Sequence, residues 1–311
     1  MSRSRPTVIA AAPAKINLIL RVGAPDDSGY HPLVTVFQAV DLWDEVAISP
    51  ADGDHLIIDG QGDLSGVPTN QTNIVWSAVD VLSRVRGRRE PLAISITKRI
   101  PVAGGMAGGS ADAAATLVAL NELWQVGLGF DQLGEIAATL GADVPFSLLG
   151  GLALGESKGD VLTPLTRRLP LHCVIVTSPF NLSTPLVYKT VDELRGQSRS
   201  TLHPLTDSEL VGVTGDDPVG LADVVTNDLQ PATLRLAPTV QVAIDALSEE
   251  GALVSCVSGS GPTVFGICLH AAHAAEVAGA VTRRGLNATE TVSTAYGAHV
   301  ISFPSSSREG R

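Results

Sequence analysis

Apolar residues run almost unbroken from Thr7 to Val22, interrupted only by Lys15, Asn17 and Arg21. Such a run predicts an extended segment that forms a strand. Residues 33–48 read as a second strand, and Leu56–Ile58 as a short one inside a loop rich in Gly, Asp, Pro and Asn. Ile74, Val75, Ala78, Val81 and Leu82 fall on one helical face behind Thr72, which predicts a helix capped there and running to about Val85. Residues 92–100 alternate as a strand. A helix of small and apolar residues then runs from a Ser110 cap to about Trp124, and another covers 131–140 until Gly141–Phe146 breaks it.

Past a polar stretch at 155–169 the pattern restarts, which puts a domain boundary near residue 168. Strand 171–177, a helix near 185–195, helices near 221–236 and 238–250, and a hairpin of strands 252–257 and 263–269 follow. A helix at 271–284 and a strand at 291–303 close the chain. Residues 196–220 read as a mobile polar insertion and the tail from Pro304 as disordered. The expectation is an α+β (α/β) protein of two domains, 1–167 and 168–311. The β-α-β-β-α-β order of the second is ferredoxin-like.

Composition narrows the chemistry. The 311 residues suit about two domains of roughly 150 residues each. A net charge of −11 with no basic block argues against nucleic acid and anionic membranes as partners, though one pocket can still be basic. Cys173, Cys256 and Cys268 are odd in number and scattered, which suits a reducing cytosol and buried thiols. Cys268, His270 and His273 form a C-x-H-x-x-H cluster but lack the helper carboxylate of an organised zinc site. Arg3, Arg5 and Thr7–Ala12 imitate a secretion leader at its shortest limit, yet they run straight into strand pattern. No apolar run reaches 18 residues, and a cytoplasmic location is expected.

Between strand and helix lies Pro101-Val-Ala-Gly-Gly-Met-Ala-Gly-Gly-Ser-Ala111. Glycines let backbone N–H groups converge, and the helix N-terminus adds partial positive charge, so this is a physical phosphate site. It is not a Walker loop, since Ser110-Ala111 follow where Lys-Ser/Thr is required, and it lacks the G-x-G-x-x-G spacing of dinucleotide and protein-kinase loops. Lysine is rare, with only Lys15, Lys98, Lys158 and Lys189 against 17 Arg. Lys15 in its apolar run reads either as a compact ammonium needed there or as a strand-edge side chain reaching water. Asp143, in Gly-Ala-Asp-Val-Pro, reads locally as a turn residue.

As a set, Pro13-Ala-Lys-Ile-Asn-Leu18, Pro101–Thr116 and Ser258-Gly-Ser-Gly-Pro-Thr-Val-Phe265 resemble the GHMP kinases (galactokinase, homoserine kinase, mevalonate kinase, phosphomevalonate kinase) over nearly the whole chain. Gly29-Tyr-His31, Leu140–Phe146, Thr184–Tyr188 and Asn227-Asp-Leu229 are similar to the branch acting on 4-diphosphocytidyl-2-C-methyl-D-erythritol (CDP-methylerythritol) in non-mevalonate isoprenoid synthesis. The resemblance implies the GHMP fold, with an N-terminal domain like ribosomal protein S5 domain 2 and a ferredoxin-like C-terminal domain. It implies transfer of the ATP γ-phosphoryl to the substrate 2-hydroxyl with Mg²⁺, by a monomer or homodimer. Its metal ligands stay unassigned.

By the same resemblance Asp143 is the base and Lys15 its electrostatic partner. ATP falls to Pro101, Val102, Ala103, Gly104, Gly105, Met106, Ala107, Gly108, Gly109, Ser110 and Ala111, with Asn73 and Lys98 near the adenine and ribose. Tyr30 and Tyr188 sandwich the cytosine, His31 bonds its polar edge, Asn17 meets the polyol, and Gly259, Ser260 and Gly261 approach the ligand. Ala103, Met106, Ala107 and Ala111 depart from the family pattern, and Ala107 is strained if its φ is positive. Two alternatives are another GHMP small-molecule kinase and a non-catalytic nucleotide binder on the same fold.

Overall fold

The computed structural model describes residues 6–27, 29–196 and 201–302. The first half builds β1 (Val8–Val22), β2 (Leu33–Pro50), β3 (His55–Gly60), α1 (Ile74–Arg86), β4 (Leu92–Lys98), α2 (Gly108–Leu123), α3 (Phe130–Leu140), α4 (Val144–Leu149), β5 (Leu152–Glu156) and β6 (Val161–Leu165). The second half adds β7 (His172–Thr177), α5 (Thr184–Arg195), α6 (Asp207–Thr214), α7 (Pro218–Ala222), β8 (Thr226–Asn227), α8 (Gln230–Leu236) and α9 (Val240–Glu249). It ends with β9 (Val254–Val257), β10 (Val264–Cys268), α10 (Ala271–Arg283), β11 (Asn287–Val292) and β12 (His299–Ser302).

Two sheets organise these elements. The larger runs β12-β1-β2-β4-β3, with β5 and β6 continuing from β2 and β8 added to β1. The smaller is ordered β11-β7-β10-β9 and is antiparallel throughout. Read as β7-α9-β9-β10-α10-β11, with α9 and α10 packed on it, it has the ferredoxin-like order expected from the sequence.

β1 is interior. β2 covers one edge along its length, while β12 meets Ile9–Ala11 and β8 meets Ile19–Leu20 on the other. Between those two, the Lys15 N–H donates to the Met106 carbonyl at 3.2 Å, so the glycine-rich loop fills the gap. The near-continuous apolar run is thereby explained, because both faces and both edges are covered. α2 packs on β1 and β2. Ala111, Ala113, Ala114, Ala115, Leu117, Ala119 and Leu120 are buried, and a helix apolar all round belongs inside the core.

Several expectations move. The cap of α1 is Asn73, one residue past Thr72, and its Oδ1 accepts from the Val75 N–H. α2 starts at Gly108, so Ser110 lies inside its first turn and is not the cap. The polar stretch at 155–169 holds β6 and the end of β5. The break at 141–146 holds the short helix α4. The helix expected over 221–236 is interrupted by β8, and the closing strand at 291–303 is two strands on different sheets. Within 196–220, α6 and part of α7 form, while 197–200 and the tail from Pro304 lie outside the described residues. Among those residues no helix is long and apolar enough to cross a membrane.

α4 is tied to the large sheet by Phe146, whose ring meets Phe37 of β2 at 4.8 Å between centroids. Both rings are fully buried. Phe146→Ala is expected to lower the unfolding free energy by about 3–5 kcal/mol in a urea titration. A loss below about 1 kcal/mol would show that α4 is held by other contacts.

Candidate active site

Strand alternation places Lys15 and Asn17 on one face of β1, while Ile16 and Leu18 face the core. The ladder to β2 shifts register between Asn17 and Ile19, and such a bulge re-aims side chains locally. Lys15 is only 5% exposed on this interior strand, so the water-seeking edge reading does not hold. Its ammonium donates to Asn17 Oδ1 at 2.7 Å, lies 5.3 Å from the Phe37 ring centroid, and stands 3.8 Å from Asp143 Oδ2. A buried ammonium needs such partners, since desolvation otherwise favours its neutral form.

Asp143 occupies the N-cap position of α4, but its side chain makes no cap hydrogen bond. The backbone has helical angles there and the carboxylate, about one-third exposed, turns toward Lys15 instead. Residues 128 positions apart in sequence therefore meet at one cleft of about 260 Å³, which Ala103, Gly104, Gly105, Ala107, Gly108 and Gly109 line from the opposite side.

The loop is pinned by its carbonyls. Gly104 O accepts from the Thr263 N–H at 3.3 Å, Gly105 O from Ser258 Oγ at 3.0 Å, and Met106 O from the Lys15 N–H. Positive φ recurs at Ala103, Gly105 and Ala107, at 49°, 76° and 61°, alternating with residues outside that region. Alternating backbone of this kind gathers successive N–H groups into an anion-binding concavity. α2 begins there without a side-chain cap or first-turn acid, so its leading N–H groups remain available to an anion. Left-handed backbone costs a non-glycine residue about 1–2 kcal/mol. Ala107 carries that strain, as does Ala103, and the three pins from β1 and the 258–263 turn hold it. At Gly105 a side chain is impossible: a Cβ would fall 2.1 Å from Ser258 O. Met106 and Ala111 point into the core, and Pro101 and Val102 line a separate cavity of about 700 Å³ that contains neither Lys15 nor Asp143.

Beneath the loop lies a buried ion triad that the sequence did not signal. The Lys98 ammonium donates to Asp44 on β2 and, at 2.7 Å, to Asp112 of α2. Asp44 also accepts from the Arg99 and Ile100 N–H groups just ahead of the loop. Lys98 is thus committed below the loop and is not among the residues lining the cleft, and both polar ends of Asn73 are spent on α1 and on Pro68 O. Asp112 Oδ1 is buried without a hydrogen-bond partner. Burial, opposed by Lys98, pushes the Asp112 carboxyl up to about 7.

Opposite the loop, Tyr188 of α5 lines the cleft and stacks obliquely with His31 at 5.1 Å. Burial first, and the Asp143 charge second, push its hydroxyl far above the usual phenol range. His31 Nδ1 pairs with Gly23 O at 2.9 Å and Nε2 with Asp192 at 3.3 Å, a partner that sequence reasoning missed. Tyr30 stands apart: 57% exposed, it lies under the Lys158 ammonium and, among the described residues, makes no ring contact with Tyr188. Gly259 comes within 3.3 Å of Lys15 Nζ at the position its Cβ would take, and Ser260 Oγ pairs with Thr184. Gly261 faces Val257 and Thr233 and does not line the cleft. Asn227 fixes this turn by donating to Val257 O and Gly259 O.

The C-x-H-x-x-H cluster is structural. Cys268 is buried, and the Nδ1 atoms of His270 and His273 accept backbone N–H groups around the start of α10. Among the described residues no group of three His, Cys, Asp or Glu side chains is placed to hold a metal ion.

Comparison with known proteins identifies the family. Residues 73–151 match the GHMP kinases N terminal domain and residues 216–287 the GHMP kinases C terminal region. The chain is 43% identical over 304 residues to the 4-diphosphocytidyl-2-C-methyl-D-erythritol kinase of Mycolicibacterium gilvum, covering 96% of this chain and 94% of that one. It is 45% identical over 283 residues to the enzyme of the same name from Nocardia farcinica, covering 90% and 92%. A crystal structure of 4-(cytidine 5'-diphospho)-2C-methyl-D-erythritol kinase superposes with a TM-score of 0.74 at 31% identity, over 92% of this chain and 99% of that one. Homoserine kinase from Cytophaga hutchinsonii shares the fold, with a TM-score of 0.72 at 20% identity over 97% and 99%. The chain belongs to the GHMP kinase family, the ATP-dependent small-molecule kinases. Its full-length relatives named here are the kinases of 4-diphosphocytidyl-2-C-methyl-D-erythritol.

The triad sets a pH test. Asp112 holds its proton to about pH 7 when folded but releases it near 3.8 when unfolded. Its contribution to stability is therefore complete below about pH 4 and lost as pH rises through about 7. Asp112→Asn keeps an acceptor for Lys98 and does not ionise, so the variant's melting temperature is expected to gain on wild type between about pH 5 and about pH 8. Parallel melting curves across that range would contradict the assignment.

Proposed function

We propose that this chain transfers the γ-phosphoryl of ATP to the 2-hydroxyl of CDP-methylerythritol, with Asp143 and Lys15 acting on the reacting groups. The observation that carries the reading is the meeting of one ammonium and one carboxylate, 3.8 Å apart, at the open side of an amide-lined loop. The acceptor is a tertiary alcohol, crowded and weakly nucleophilic, so positioning and charge stabilisation dominate. Asp143 orients the hydroxyl and takes its proton as the new oxygen–phosphorus bond forms and the bond from the γ-phosphorus to the β–γ bridging oxygen breaks, releasing ADP. Lys15 stands beside Asp143 and offsets negative charge on the transferring group. The N–H groups of residues 104–109 hold the phosphates, which local charge allows on an acidic protein. Mg²⁺ dehydrates reluctantly and needs few protein ligands; Asp143 is the carboxylate of the cleft that would face it, and the ion would offset phosphate charge.

On the acceptor side Tyr188 offers the stacking face for cytosine, with His31 beside it. Tyr30 completes the sandwich by swinging off Lys158, a contact that a base outcompetes if stacking is worth about 1–3 kcal/mol.

CDP-methylerythritol is expected to stimulate ATP turnover in the presence of Mg²⁺, and CMP to compete with it. Asp143→Asn should lower kcat by about 10²–10⁴-fold, the range typical of a lost general base, while ATP binding stays nearly unchanged. Well-folded protein that leaves CDP-methylerythritol unphosphorylated would overturn the reading, and an undiminished rate in the variant would remove Asp143 from the role.

A further inference from the structure

The geometry points to Thr35 as a positioning residue for Lys15, acting through the orientation of the Asn17 amide; this rests on the proposed role of Lys15. Thr35 lies on β2 with no exposed surface, and no motif in the sequence marks it. Its hydroxyl donates to the Ile19 carbonyl at 2.7 Å, beside the β1 bulge. A carbonyl can only accept, so the single hydroxyl proton is committed there. Toward any other neighbour the Thr35 oxygen can only accept. That neighbour is Asn17 Nδ2, at 2.8 Å. With its NH₂ end so fixed, Asn17 must present its carbonyl oxygen to the other side, where the Lys15 ammonium donates to it at 2.7 Å.

The chain Lys15–Asn17–Thr35–Ile19 thus has one allowed direction. Reversed, Asn17 would set an NH₂ group against an ammonium, donor against donor, in a site nearly closed to water. The bond to Asn17 is also the shorter of the two polar contacts of Lys15, since Asp143 stands at 3.8 Å. Losing the Thr35 acceptor frees the amide to flip, and the ammonium loses the partner that aims it at the cleft. Catalysis depends on placing charge within a fraction of an ångström, so the effect falls on the chemical step and spares phosphate binding at the loop.

Thr35→Val keeps the shape and removes the hydroxyl, and Thr35→Ser keeps the hydroxyl and removes a methyl. With CDP-methylerythritol and ATP, Thr35→Val is expected to lower kcat by about 10–100-fold with KM for ATP within about twofold of wild type, and Thr35→Ser to recover kcat to within about threefold. Thr35→Ala serves if the valine variant melts far below wild type. A valine variant with wild-type kcat overturns the inference, as does a serine variant impaired as badly as the valine, which would make packing of the methyl the cause. A parallel rise in KM for ATP would mean general distortion and overturn it too. Wild-type protein inactive on this substrate would instead bring down the proposed function, and the inference with it.

Discussion

Lys15 places a full positive charge on an interior strand whose two edges and two faces are all covered. Burying an ammonium is tolerated only where opposite charge and acceptors meet it, and much of the local architecture answers that demand. Asn17 supplies the acceptor, Thr35 fixes the amide that supplies it, and Phe37 offers the face of its ring. Asp143 arrives from the start of α4, and Phe146 on that helix packs back onto Phe37. The same phenylalanine thus touches the cation and the helix that carries the counter-charge.

The glycine-rich loop obeys a complementary constraint. Its N–H groups converge because its carbonyls are occupied elsewhere, by β1, by the 258–263 turn and by Thr263 in particular. Below it, Lys98 joins Asp44 and Asp112 and ties the entry to the loop to α2. Buried ionic clusters of this type add little net stability, since desolvation offsets their attraction. What the triad supplies is a fixed relation among β2, β4 and α2, at the place where phosphate geometry is decided.

Elements with strong period were legible in the sequence, and the family resemblance singled out Lys15 and Asp143, but the buried polar partners around the cleft and the loop were hidden. Thr35 and Asp44 look like ordinary strand positions, because a hydrogen-bond direction or an ion pair across the sheet has no local signature. Ser110 has the chemistry of a helix cap, yet α2 starts earlier because pins from distant segments force Ala107 into the left-handed region. β6 was masked by its exposed side chains, which resemble a loop at the edge of a sheet. The break at β8 follows from Asn227, whose side chain is spent on the 257–259 backbone and so marks a turn in the middle of helical pattern. Lys98 and Asn73, expected near the nucleotide, are held by partners that only the folded chain brings together.

The return of β12 to Ile9–Ala11 has a bearing on how the molecule is made. On a ribosome the lysine-bearing strand emerges roughly 290 residues before its neighbour β12. Until about residue 302 has left the exit tunnel, part of that strand's edge has no protein partner and its apolar run invites wrong pairing. That edge of the large sheet therefore closes only once β12 has been made.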